Sequence, residues 1–277
     1  MRRLPLTERL RRPAVVGIVN VTADSFSDAG AHLEPDDAVA AARRLLAEGA
    51  ALVDVGAEST RPGSEGVSLD EELRRLLPVL ERLEGVPFSV DTAKAEVARR
   101  ALSLGAELVN DVTALRGDPE LAGVVSDAGA YLCLLHMQGE PRSMQEAPRY
   151  GDVVAEVASF LEERLSFAVA AGIDEDRICL DPGIGFGKSV EHNLELLRRL
   201  DVLVALGRPV LVGISRKRML GRLLGDPDAT TGSAAASVGA AVAAFERGAS
   251  IFRVHDVREH VEALTAAAAV AGEPVTA

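Results

Sequence analysis

The chain is poor in cysteine and in positive charge, and it has no long apolar run. Its two cysteines, Cys133 and Cys179, sit inside apolar stretches and supply neither a disulfide framework nor a zinc-ligand spacing. No apolar run approaches the ~18 residues of a membrane span. Lysine and arginine number 30 against 42 acidic residues, a net charge of −12. That balance excludes the basic footprint a nucleic-acid partner needs. The opening MRRLPLTERLRR is too short and too poor in leucine for a signal peptide. It reads as a frayed basic extension over residues 1–13. The expected setting is the cytoplasm.

What the sequence does have is a core and a repeat. Hydrophobic residues make up 48% of 277 residues, enough for one large domain. Short β-branched runs fall at 15–21, 52–57, 87–92, 107–112, 131–137, 178–183, 209–214 and 250–256. Between them lie segments of helical period: 36–48, 68–83, 94–104, 118–128, 152–171, 190–200, 217–247 in pieces, and 257–271. Gly49, Gly105, Gly129, Gly172 and Gly248 stand where those helices should end. Eight such units predict an α/β fold, a single (β/α)8 TIM-barrel domain spanning 1–277. An open doubly wound sheet is the alternative, because periodicity does not report closure.

Polar residues interrupt the strands at one end. Strand faces alternate, which puts Asn20 with Ile18, Asp91 with Ser89, and Asn110 with Leu108. By the same rule Asp181 lies with Cys179, Ser215 with Gly213, and Arg253 and His255 with Ile251. One such residue is explained by a helix cap; six strands showing the pattern are not. Barrel active sites lie at the C-terminal ends of the strands, so these residues are the candidate site. Lys217, Arg253 and His255 follow the last two strands, where barrels commonly bind phosphate. Asp91, Asp181 and Asn110 make an acidic wall suited to a flat heterocycle with adjacent N–H donors, such as a 2-amino-4-oxo ring. An acidic and a basic wall together suggest a nitrogen heterocycle joined to a leaving diphosphate. Asn20 could offer one oxygen to magnesium or cap its own loop. The segments 22–35 and 57–68 exceed the about 2–6 residues usual after a barrel strand and read as lids. Phe26 and Arg61 lie within them.

These stretches resemble the dihydropteroate synthase family. The resemblance runs through GIVNVTADSFSDAG, GAESTRPGS, VDT, NDV, HMQG, DPGIGFGKSVEHNLELL, GISRKRMLG and RVHD. It implies condensation of 6-hydroxymethyl-7,8-dihydropterin diphosphate with 4-aminobenzoate, release of diphosphate, magnesium as cofactor and a homodimer. It also implies roles for named residues. Asn20 would contact the magnesium. Asp91, Asn110, Asp181 and Lys217 would bind the pterin, with Met137 and Phe186 lining that pocket. Arg253 and His255, with Asn20, would hold the diphosphate. Thr60, Arg61, Pro62 and Ser215 would face the aminobenzoate, with Asp24 and Phe26 in the first loop. Asp91, Asp181, Lys217, Arg253 and His255 are the expected catalytic set. The chain departs from the family pattern at Ala23, where a proline is usual, and at Ala57, where a glycine is usual. Two further readings of the same residues are a pterin-binding paralogue without turnover and a pterin-dependent methyltransferase.

Overall fold

The computed structural model describes residues 3–22, 34–59, 64 and 66–274. Eight parallel strands appear in chain order: β1 (Ala14–Asn20), β2 (Leu52–Gly56), β3 (Phe88–Asp91), β4 (Leu108–Asp111), β5 (Tyr131–Leu135), β6 (Ile178–Asp181), β7 (Leu211–Val212) and β8 (Ile251–Val254). Their hydrogen-bonded order is β6-β5-β4-β3-β2-β1-β8-β7. A parallel bridge between Leu180 and Val210 joins β6 to the approach to β7 and brings the sheet round into a nearly closed barrel. The barrel reading of the sequence therefore holds, and the open sheet does not.

Helices follow the strands. They are α2 (Pro35–Ala47), α3 (Leu69–Leu80), α4 (Ala95–Ser103), α5 (Leu121–Ala128), α6 (Val153–Ala170), α7 (Val190–Arg198), α8 (Asp201–Val204), α9 (Arg218–Leu223), α10 (Ala234–Glu246) and α11 (Val257–Val270). The short α1 (Leu6–Arg9) precedes the first strand. Several helices start at residues that satisfy their free N–H groups. Ser68 accepts from Glu71 N, Asp152 from Val154 and Ala155, and Ser189 and His192 form a reciprocal capping box. The five glycines expected to end helices all have positive φ.

Most boundaries shift by a few residues from the sequence reading, and two of the shifts have a visible cause. Helix α5 starts at Leu121 rather than 118 because Asp118 is engaged elsewhere. Its carboxylate accepts from Ala95 N at 2.9 Å and from Glu120 N at 3.0 Å, which holds 118–120 as a turn. Strand β7 keeps only two residues. Pro209 has no N–H to extend the ladder, and its carbonyl accepts from Leu180 N at 2.9 Å.

The strands bury both faces, as parallel barrels require. Val53, Val55, Val90, Val109, Leu132, Leu134 and Phe252 pack outward against the helices. Leu52, Leu108, Tyr131, Leu211 and Ile251 turn inward at the N-terminal end of the barrel, and Leu6 and Leu10 close that end. Here the structure corrects the sequence reading of a frayed start. Leu6 is fully buried and Leu10 nearly so. Arg9 pairs with Glu107 at 2.6 Å, and Tyr131 Oη donates to the Leu4 carbonyl at 2.8 Å. Arg3, Arg9 and Arg12, three of the basic residues that suggested a solvated tail, anchor a plug. Leu6→Ala is expected to cost about 2–5 kcal/mol, read as a lower urea midpoint. An unchanged midpoint would return this segment to the status of a loose terminus.

Candidate functional site

The other end of the barrel is polar. Along one register line stand Asn20, Gly56, Asp91 and Asn110, on β1 to β4. Gly56 is needed there. A Cβ at that position would lie 3.1 Å from Asp91 Cβ, so its absence leaves Asp91 its place at the mouth.

Asp54, which sequence reasoning passed over, organises the floor of the site. It is 1% exposed. Its carboxylate accepts from Arg253 Nε at 2.6 Å, Ser89 Oγ at 2.6 Å and Asn110 Nδ2 at 3.2 Å. Arg253 Nη2 also donates to Asp91 at 2.8 Å. The acidic and basic walls are thus not separate at this point, because the guanidinium bridges Asp54 and Asp91. Burial raises the Asp91 pKa; the Arg253 charge opposes the rise, and Asp54 adds to it. Burial also works against the charge on Arg253, but the two carboxylates outweigh it and raise its pKa. The signal that could have found Asp54 was present: in LVDVG it shares a face with Leu52 and Gly56.

Asn110 is spent on Asp54 through its amide nitrogen, and its Oδ1 is buried without a partner among the described residues. Asp181, 3% exposed, accepts from Gly183 N at 2.7 Å through Oδ1. Burial pushes the Asp181 pKa up to about 6, against the Gly183 N–H and the charges of Lys217, Lys188 and Arg253. The site therefore offers acceptors awaiting donors.

The other described candidates gather around them. Met137 and Phe186 pack with Val112, Leu135 and Met144 in a small cluster of their own. The Lys217 ammonium sits 4.3 Å from the Phe186 ring centroid, a cation over an aromatic face. Its stem crosses Gly185, where an added Cβ would stand 3.2 Å from Lys217 Cδ. Ser215 Oγ lies 3.2 Å from His255 Nδ1 and accepts from His255 N at 3.2 Å, tying the ends of β7 and β8 together. Beside them Arg216, at φ 56°, pairs with Asp256 at 2.6 Å. Asn20 is half-buried at the end of β1. Asp24, Phe26, Thr60, Arg61 and Pro62 lie outside the described residues, as does Ala23.

A second network missed from sequence holds the start of the 57–68 segment. Lys94 pairs with Glu58 and, at 2.5 Å, with the fully buried Glu72 of α3, which also accepts from Thr92 Oγ1 at 2.6 Å. Burial raises the Glu72 pKa despite those bonds. Ala57 is buried there, and its carbonyl accepts from Arg75 at 3.2 Å. Among the described residues the non-glycines with positive φ are Ala114, Leu115 and Arg216. Ala57 is not one of them, so its backbone does not call on the freedom of the family's usual glycine.

The described residues hold no group of three or more His, Cys, Asp or Glu side chains placed for a metal ion. Nor do they contain a helix long and apolar enough to cross a membrane.

Known proteins share the sequence and the fold. Residues 16–255 match the pterin binding enzyme family. The chain is 46% identical over 260 residues to dihydropteroate synthase of Escherichia coli K12, covering 92% of this chain and 90% of that protein. The Xanthomonas albilineans dihydropteroate synthase structure with 4-aminobenzoic acid superposes with a TM-score of 0.86 at 50% identity, covering 96% of this chain and 95% of that one. The same enzyme in complex with 7,8-dihydropteroate gives 0.83 at 48% identity, with 96% of each chain covered. The chain belongs to the pterin binding enzyme family, among the dihydropteroate synthases.

Proposed function

We propose that this barrel joins 6-hydroxymethyl-7,8-dihydropterin diphosphate to 4-aminobenzoate, releasing 7,8-dihydropteroate and diphosphate. One observation carries the reading at residue level. Among the described residues Asn110 Oδ1 is a buried acceptor without a partner, and the buried Asp181 carboxylate accepts from Gly183 N through Oδ1. An unpaired buried acceptor costs free energy, and a flat ring bearing adjacent N–H donors would satisfy Asn110 and meet the Asp181 carboxylate. Phe186 and Met137 would cover its faces. Relatives solved with 4-aminobenzoic acid and with 7,8-dihydropteroate support the choice of substrates.

Arg253, His255 and Lys217 would offset the charge of the departing diphosphate. As its C–O bond breaks, positive charge develops at the pterin methylene, and the buried carboxylates favour that charge. The neutral aromatic amine then attacks the methylene and loses a proton, so no side-chain nucleophile is needed. Asn20 fits a magnesium contact: its amide oxygen is a hard donor at the strand end, and magnesium takes few protein ligands when phosphate supplies the rest. When bound, the ion would neutralise part of the diphosphate charge. Thr60, Arg61, Pro62, Ser215, Asp24 and Phe26 would form the aminobenzoate side. A cytoplasmic homodimer, as the resemblance implies, completes the proposal.

A coupled assay for diphosphate release tests it. Release is expected only with both substrates and magnesium present. Pterin binding without release would favour the silent paralogue. Turnover with a methyltetrahydrofolate donor would favour the methyltransferase.

A further inference from the structure

The chain has three lysines among its 30 basic residues, Lys94, Lys188 and Lys217. The reaction above uses Lys217, and Lys94 is paired with carboxylates. Lys188 does neither. It is 2% exposed. Its Nζ lies 2.9 Å from His136 Nδ1 and donates to the carbonyls of Phe186 at 3.0 Å, Gly183 at 3.1 Å and His136 at 3.3 Å. All four partners are acceptors, and among the described residues none is a carboxylate. An ammonium only donates, so His136 Nδ1 accepts and the neutral ring carries its proton on Nε2. Burial and the Lys188 charge hold the His136 pKa down at about 3, which keeps that ring neutral.

Taking a cation out of water without a counter-ion is costly, so its placement asks for a reason. Lys188 ties the segments after β5 and β6, which touch backbone to backbone. A Cβ on Gly183 would stand 1.9 Å from the His136 carbonyl oxygen, and one on Gly187 would stand 2.2 Å from that of Gln138. The turn so held presents two parts of the pterin wall. It carries Phe186, whose ring lies beneath Lys217, and Gly183, whose N–H reaches Asp181 Oδ1. Gln145 and Tyr150 hold the carbonyls of Gly185 and Gly187, at 2.5 and 2.9 Å. The lysine brings a charge to the backbone of this turn.

We propose that Lys188 is a positioning residue for the pterin: it fixes the 183–187 turn so that Phe186 and Asp181 meet the ring together, and it lends Asp181 an unneutralised positive charge. The inference rests on the reading that Asp181 binds the pterin. The charged groups bearing on Asp181 are Lys217 after β7, Arg253 on β8 and Lys188 itself, with the buried thiols Cys133 and Cys179 on the same inner face. Lys188 in turn faces His136, Asp181 and Lys217. Burial brings its own pKa down to about 7, against the pull of Asp181. Its charge is therefore present at the acid side of the range in which Asp181 ionises and fades toward pH 8.

The test is calorimetry of 6-hydroxymethylpterin, which lacks phosphates, from pH 5 to 8. The proteins are the unaltered chain, Lys188→Gln, Lys188→Met and Asp181→Asn. Lys188→Gln keeps N–H donors for the carbonyls but has no charge. Its expected signature is near-normal affinity at pH 8 and an acid limb moved upward by roughly one unit. Lys188→Met should lose about tenfold or more at every pH, because the carbonyls lose their donor whether or not the amine is charged. A clasp that only supports the fold would lower the melting temperature and leave the acid limb in place; that result overturns the inference. Failure of Asp181→Asn to weaken binding would instead overturn the site reading beneath it. Nitrogen-15 lysine NMR of the unaltered protein needs no variant. The Lys188 signal should shift when the pterin is added, and a fixed signal under saturating pterin counts against the proposal.

Discussion

Asp181→Asn is expected to weaken pterin-diphosphate binding roughly 10- to 150-fold, the loss of charge-assisted hydrogen bonds worth ~1.5–3 kcal/mol. The same change should stabilise the unliganded protein above pH 6. The two effects have opposite signs for one reason. Burial lifts the Asp181 pKa to about 6, whereas an unfolded aspartate titrates near ~3.9. The folded state therefore holds the proton more tightly. Its contribution to stability is complete below pH ~4 and is lost as pH rises through about 6. A difference of two units corresponds to about 3 kcal/mol. Asparagine stays neutral, keeps an acceptor for Gly183 N and escapes that loss. Thermal melts at pH 4 and pH 8 should show the variant gaining clearly more on the unaltered protein at the higher value. Pterin affinity that stays unchanged in a folded variant would remove Asp181 from the site.

Arg253→Ala should be the more damaging substitution. It leaves Asp54 and Asp91 buried beside each other with no cation between them. Breaking a buried pair in this way costs about 3–5 kcal/mol. The cost should shrink in acid, because Asp91 already has its pKa raised by burial and takes up a proton once its partner cation is gone. Melting temperatures at pH 5.5 and pH 8 measure this, and an equal drop at both would contradict it. Adding Asp54→Asn removes one of the repelling charges and should recover part of the stability. In that double variant, binding of the pterin diphosphate should fall far more than binding of the pterin alcohol. Equal losses for the two ligands would mean that Arg253 serves the acidic floor and not the diphosphate.

The alternation of apolar runs with helical segments was enough to read the barrel, because eight βα units leave few ways to bury both faces of a parallel sheet. The rule of alternating faces placed Asn20, Asp91, Asn110, Asp181 and Arg253 on one inner surface before any coordinates. What it did not supply was contact. Asp54 sits in mid-strand, where a carboxylate looks like an anomaly, and its meaning appears only once Arg253 arrives from 199 residues away. Lys188 stands in a glycine-rich turn, where a lysine reads as surface. Its burial depends on the approach of His136 from the segment after the neighbouring strand. The plug formed by Leu6 and Leu10 was missed for a similar reason. A four-residue helix has too little period to reveal its buried face, and its partners lie on strands that come much later in the chain.

That last arrangement bears on the order of folding. Leu6 and Leu10 emerge before every strand during synthesis, yet their layer includes Leu211 and Ile251, and β1 finds one of its two neighbours in β8. Contacts so distant in sequence form slowly, because the intervening chain must be gathered first. Until β8 is made, the two leucines and the inner edge of β1 have no complete native environment. Refolding should therefore show the Arg9–Glu107 and Leu6 contacts maturing with barrel closure rather than before it. Stopped-flow fluorescence from a tryptophan placed at Leu4, an exposed position beside the plug, would follow that step directly.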